Sequence, residues 1–259
     1  MILVPSRRDR PPQGPVTVSR RYASVAQGAW LFSRGPQDIS GRGRNGAPTA
    51  VSFSGLGANF AAANSAIYLP IGSLDASTEV TAVVRALTRS AGGGGTGRFL
   101  DTGTSQGVGY LMSRFSAETD LLMGGTADYV APSSAIIKFN RWQTYLFTQG
   151  GAVRQAWVDG ELVSSIAGYS GLGSSSAVTP AIGNRSDGWE DRAFDGLISS
   201  VVVIKRGTVG AEAQELSRSI WQMLEPERRP VFYSLPSSGS STANRIMLLR
   251  RPGLSRMWR

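Results

Sequence analysis

Short apolar or alternating runs, punctuated by Gly, Ser and Asn, recur along this chain from about residue 50, a period-of-two pattern that predicts β-strands. The runs place strands at about 50–54, 65–70, 78–88, 97–101, 107–114, 119–123, 135–138, 142–149, 152–158, 161–166, 178–183 and 194–205. The clearest unit runs from Val153 to Val163, with Asp159-Gly160 between two β-prone runs. An Asp-Gly pair accepts positive φ at both central positions of a tight primed turn, so this segment predicts a hairpin. One stretch departs from the pattern. From about Gly210 to Leu224, Ala211, Leu216, Ile220, Met223 and Leu224 fit one helical face, with Glu212 and Glu215 early and Arg218 late, as the helix dipole favours. Pro226 then ends the helix. The expectation is an all-β, antiparallel β-sandwich with one short C-terminal helix and extended arms at both ends.

Residues 1–21 hold Pro5, Pro11, Pro12, Pro15 and Gly14 with no sustained period, which predicts an extended N-terminal arm. The body is expected over 22–235, with the helix at about 210–224. Residues 236–259 read as a flexible link, Ser237-Ser238-Gly239-Ser240-Ser241, followed by a basic tail. Arg34 to Pro48, Gly92 to Gly95 and Gly168 to Ser176 read as surface loops. Neither of the last two precedes a Gly-Lys-Ser/Thr or opens a helix, so they are not expected to cradle phosphate.

Charge changes the picture at the ends. The net charge is +9. Residues 1–21 carry five Arg against one Asp, residues 245–259 carry five Arg and no acid, and residues 22–244 balance 17 basic against 17 acidic side chains. The excess therefore lies in the two arms, with Arg7, Arg8, Arg10, Arg20, Arg21, Arg245, Arg250, Arg251 and Trp258 as candidate attachment residues. Docking on acidic protein neighbours, contact with nucleic acid and simple solubility compete as their role. Apolar Ile246, Met247, Leu248 and Leu249 among the arginines favour docking and make nucleic acid the weaker expectation. Tyr22, Trp30, Trp221, Phe232 and Tyr233 are candidate interface anchors, whereas Trp142 and Trp157 are expected to point into the core.

The chain lacks both Cys and His, which excludes disulfides, thiolate nucleophiles, imidazole bases and the usual zinc, copper and haem ligands. No metal or other cofactor is expected. Pro5 and the arginines after it interrupt the apolar Met1-Ile2-Leu3-Val4, and the longest apolar run, Leu197 to Ile204, is far short of the ~20 residues of a membrane helix. The expectation is a soluble chain with no secretory signal and no membrane partner.

The order of elements resembles the concanavalin-A-like, laminin-G-like jelly-roll family. It runs through Asn140-Arg141-Trp142-Gln143-Thr144-Tyr145, Gln155 to Val163, Ala181-Ile182-Gly183-Asn184, Phe194-Asp195-Gly196-Leu197-Ile198 and the helix. Ala66 to Pro70 and Glu79 to Arg85 look like that family's early strands, so the resemblance covers about 50–225. The Pro-rich start and Ile220 to Tyr233 look like laminin-G-like virion proteins of tailed bacteriophages. That resemblance implies a structural protein of the virion, a capsid decoration or tail component anchored by its arms. Its partners would be other virion proteins and further copies of itself in a homo-oligomer.

Two sites carry candidate chemistry. Some relatives are glycoside hydrolases whose strand carries Glu-x-Asp-x-x-Glu; here Glu118-Thr119-Asp120 is followed by Met123 at the third acidic position. Without an acid/base partner, no catalytic residue is assigned and no enzyme is expected. The other site is the loop from Asn184 through Asp187 and Trp189 to Asp191, whose indole and carboxylates suit a sugar ring, or calcium in a second reading. The alternative reading of function is thus a carbohydrate-binding adhesion module for a host surface glycan, and a solvated or subunit-contacting loop remains the plainer explanation.

Overall fold

Every residue of Ala26-Gln27-Gly28-Ala29-Trp30-Leu31 is buried, which requires a strand covered on both faces and shows how the fold is layered. The computed structural model describes residues 14–61, 64–74, 79–103, 136–167, 176–186 and 192–226, together with the strand backbones 110–115, 120–125 and 129–130. In chain order the strands are β1 (Val16–Val18), β2 (Ala26–Leu31), β3 (Ala47–Thr49), β4 (Val51–Ser54), β5 (Gly57–Phe60), β6 (Ala66–Tyr68), β7 (Val80–Thr88), β8 (Arg98–Asp101) and β9 (Tyr110–Phe115). They continue with β10 (Asp120–Gly125), β11 (Tyr129–Val130), β12 (Trp142–Gly150), β13 (Val153–Val158), β14 (Glu161–Ala167), β15 (Ala181–Ile182), β16 (Gly196–Ile204) and β17 (Leu224–Pro226). Two α-helices, α1 (Arg20–Ala23) and α2 (Gly210–Arg218), complete the set with short 3-10 turns.

One sheet has the order β11-β10-β9-β8-β15-β6-β3 and the other β14-β13-β12-β7-β16-β5-β4, with β2 also paired to β16. The result is a two-layer antiparallel β-sandwich. Between the sheets lie Trp30, Phe60, Ile67, Val84, Phe99, Tyr145, Phe147, Ile182 and Val201, all fully buried. The outer face of the β7-β12-β16 sheet is buried as well: Val83, Leu146, Trp157 and Val202 pack under Tyr22, Leu216, Ile220, Trp221, Met223, Val16 and Val18. The middle strands therefore read as continuous apolar runs, such as Val201-Val202-Val203-Ile204, rather than as alternation. Gly28 in β2 is required by packing, because a Cβ there would stand 2.2 Å from Trp30 Cη2.

The Asp159-Gly160 hairpin forms as expected, with φ of 50° and 89° at the two turn residues. The Asp159 carboxylate accepts the Thr144 N–H at 2.9 Å, tying the turn back to β12.

Elsewhere the structure differs from the sequence pattern. Residues 136–138 form no strand; the Gln143 side chain satisfies their backbone instead, accepting the Lys138 N–H at 2.6 Å and donating to the Ile136 carbonyl at 3.0 Å. The strand expected at 178–183 shrinks to Ala181–Ile182 between Pro180 and Gly183. The helix stops at Arg218, where Ser219 turns extended before a 3-10 turn over Ile220–Met223. Ala213 rather than Ala211 faces the core. The arm expected to Arg21 ends earlier, because β1 pairs with β17 and Tyr22 on α1 is 2% exposed. That pairing joins residues some 200 positions apart and has no local signature.

Candidate functional site

The segment after β15 and the segments around β8 meet at one end of the sandwich, over an aromatic floor. Phe99 stacks on Tyr145 with centroids 4.7 Å apart, and Phe194 lies 4.9 Å from Phe99 and edge-on to Phe60 at 6.0 Å. Gly183 sits on this floor at φ +80°, and a Cβ there would fall 2.1 Å from the Phe60 ring. Its carbonyl accepts the Phe194 N–H at 2.8 Å, while its own N–H donates to the Phe99 carbonyl at 3.1 Å. Gly183 and Phe194 thus close the neck of the segment between them, over the aromatic cluster.

Asp101 pins the first side of that neck. Ala181 lies opposite both Tyr68 and Asp101, whereas Ile182 lies opposite Ile67 and Leu100 in the core. Asp101 therefore points to the outer face of its sheet, yet its side chain has no solvent exposure. It accepts the Gly103 N–H at 2.7 Å and the Ser186 N–H at 3.3 Å, and it pairs with the Arg98 guanidinium. Ser186 Oγ donates to the Gly103 carbonyl, closing the cluster. A desolvated carboxylate needs such donors to remain charged. A bulge between Arg98 and Leu100 turns both Phe99 and Leu100 into the core.

The second side is pinned by cations. Arg192 donates to the Gly94 carbonyl at 3.1 Å and to Thr96 Oγ1. The Asp195 carboxylate takes Arg89 Nε at 3.1 Å and Ser90 Oγ at 2.5 Å, and Arg89 reaches on to Asn59 at 2.9 Å and to the Phe60 carbonyl at 2.7 Å. The glycine-rich turn at 92–95 is therefore a built part of the site, matched to the Ala193 carbonyl by the Gly93 N–H at 2.8 Å.

Of the expected loop residues, Asn184 stands at the neck, 1% exposed. Its Oδ1 accepts the Arg185 N–H at 2.8 Å, and its Nδ2 donor is buried with no partner. Asp187, Trp189 and Asp191 lie outside the described residues, as do Glu118 and the Asp120 side chain. Asp101, Arg98 and Ser186 were missed by the sequence reading. Their one signal is a strand, Arg98-Phe99-Leu100-Asp101, with opposite charges three residues apart. No group of three or more metal-ligating side chains occurs among the described residues.

The attachment and anchor residues divide. Arg20 and Arg21 sit on α1, where Arg21 pairs with Glu212 at 2.8 Å and Arg20 lies 3.9 Å from Glu225. Tyr22, Trp30 and Trp221 are buried in the two cores rather than offered as anchors. Trp157 is buried, but under α2 on the outer face of its sheet. Trp142, expected inside, is half-buried at the start of β12, with the Arg85 guanidinium 5.8 Å from its ring centroid. Arg7, Arg8, Arg10, Phe232, Tyr233, Arg245, Arg250, Arg251 and Trp258 lie outside the described residues.

Solved structures share this architecture. Domain 4 of the extracellular arabinanase AbnA of Geobacillus stearothermophilus, in complex with arabinotriose, aligns with a TM-score of 0.58 at 16% identity, over 74% of this chain and 98% of that domain. The binding domain of Paraclostridial Mosquitocidal Protein 1 aligns at 0.57 and 14% identity, over 75% of this chain and 52% of that one. Trypanosoma rangeli sialidase, in complex with sialic acid, aligns at 0.53 and 15% identity, and the match spans about a third, 32%, of its length. No curated protein matches the sequence. The model of the concanavalin A-like lectin/glucanases superfamily matches residues 61–213, from the strand before the aromatic floor into α2, and the chain belongs to that family.

Proposed function

We propose that this chain is a non-catalytic carbohydrate-binding module that holds a glycan at the 184–192 loop. The observation that carries the reading is the neck of that loop. There the fully desolvated Asp101 accepts the Ser186 N–H, Gly183 and Phe194 share a backbone hydrogen bond, and the Asn184 Nδ2 donor is buried with no partner among the described residues. An indole and carboxylates gathered in one loop suit sugar hydroxyls and the apolar face of a pyranose or furanose. Support also comes from the arabinotriose-bound domain, which this chain matches over nearly that domain's whole length. The absence of a third carboxylate after Glu118-Thr119-Asp120 favours binding over hydrolysis. Glycan-array screening of the full chain beside Trp189→Ala tests the reading. Binding of a glycan class that the variant loses is expected; no binding above background by the full chain would overturn it.

A second reading, display on a phage particle or similar assembly, keeps one supporting observation. Val16 of β1 lies opposite Pro226 of β17, so the first and last strands of the described body form one edge. This edge would serve as a single anchoring point. The test is occupancy on purified particles. Truncation of residues 1–13 or 227–259 should release the protein, and retention of both truncated forms at full occupancy would contradict display through the arms.

A further inference from the structure

An open cleft of about 410 Å³ lies between the turn after α1, the loop before β3 and the residue that follows β16. Ser24, Gln27, Arg42, Arg44, Gly72 and Lys205 line it, and no carboxylate and no aromatic ring does. Three cations around one space are notable in a body whose basic and acidic residues balance. The arginines are held in place by backbone. Arg42 donates from Nε to the Ala26 carbonyl at 3.2 Å and from Nη2 to the carbonyls of Ser24 at 3.2 Å and Ala23 at 3.4 Å. Arg44 donates to the Gln27 carbonyl, and its own carbonyl accepts Trp30 Nε1 at 3.0 Å. Lys205 is positioned through its N–H, which donates to the Val25 carbonyl at 2.8 Å.

Asp38, the acid beside this loop, is committed elsewhere. Its two oxygens accept the N–H groups of Ala29, Ser40 and Arg44 and the Ser40 hydroxyl, at 2.9 to 3.1 Å. Among the described residues, neither Arg42 nor Lys205 makes an ion pair. Stapling of the loop accounts for contacts of Arg42 and Arg44. Lys205 is exposed and lines the same cleft.

We infer that this cleft is an oxyanion subsite that takes the carboxylate or sulfate ester of an acidic saccharide. Guanidinium groups match the planar or tetrahedral oxygens of such groups, and an ammonium adds a point charge. The volume falls in the range of small-ligand pockets, and Ser24 and Gln27 add a hydroxyl and an amide at its wall. A nucleic-acid strand would call for an aromatic stacking surface, which the lining lacks. The subsite is separate from the 184–192 loop. It lies past the end of β16, and the loop lies before its start, about 27 Å away at 3.4 Å per residue.

The chain has two lysines, Lys138 and Lys205, which gives a clean readout free of the arginine-rich ends. With the full chain carrying 13C-labelled lysine, digalacturonate and galactose 6-sulfate should shift the Lys205 ε-methylene signal saturably. Lys138 should not move, and neutral galactobiose should shift neither. Arg42→Gln should weaken that response tenfold or more. Lys205→Gln, followed by calorimetry, gives the same loss without touching the loop staple. Trp189→Ala should leave the response intact, so failure here and failure of the glycan loop are told apart. An unmoved Lys205 signal, equal affinity in both variants, or a shift produced by a short oligonucleotide alone would overturn the inference.

Discussion

The Asp101 side chain has no solvent exposure, and donors from Arg98, Gly103 and Ser186 surround it. Removing one partner of such a buried pair leaves the other uncompensated, so Asp101→Ala should cost about 3 kcal/mol in urea unfolding. An unchanged midpoint would show that the neck of the loop is not held by this carboxylate. Gly183 makes a second sharp demand, since its φ and its 2.1 Å approach to Phe60 leave no room for a methyl group. Gly183→Ala should therefore cost about 2 kcal/mol, the usual scale of overpacking with strain. Neither role was legible in the sequence. Asp101 and Ser186 stand 85 positions apart, and a lone acid at a strand end looks like any solvated edge. Asn184 was legible at this scale as a residue just past an apolar run, which ends at Ile182 before Gly183.

At the scale of elements, local signals were read and distant ones were lost. The β13–β14 hairpin showed itself because both strands and the Asp-Gly turn lie within fifteen residues. β2 did not, because a strand buried on both faces has no alternation. The arm expected to Arg21 proved to be a clamp over residues 16–23, with Tyr22 OH donating to Glu212 at 3.2 Å. The Arg21 and Arg206 guanidiniums stand 5.4 and 5.5 Å from its ring. Tyr22→Ala should lower stability by about 3 kcal/mol, as loss of a buried ring does; a free arm would show no change. Burial first, and then the Glu212 carboxylate, raise the Tyr22 phenol above its ordinary value of 10.0, and burial pushes Tyr145 up as well. The folded chain therefore holds protons more tightly than the unfolded one. This stabilisation is fully present below about pH 10 and is lost as pH rises past it. The unfolding midpoint should fall above pH 10, less steeply in Tyr22→Phe, and equal slopes would remove Tyr22 from the account.

For the molecule as a whole, the sandwich and its family were readable from the order of strands in the second half of the chain, where β12, β13 and β14 pair in chain order. The outer layer over the β7-β12-β16 sheet was not, because β1 and β17 meet only through the fold. The charge also takes on a different meaning at this scale. The excess flanks a nearly neutral body in which Arg42, Arg44 and Lys205 line a cationic cleft. The central claim is that this body binds a glycan through the 184–192 loop. The most direct test is calorimetric titration of the full chain and of Trp189→Ala with a glycan selected from an array. The account predicts saturable binding by the full chain and a loss of tenfold or more in the variant, the scale of one interface anchor, at an unchanged melting temperature. Equal affinity in the two proteins, or no glycan bound by either, would contradict it.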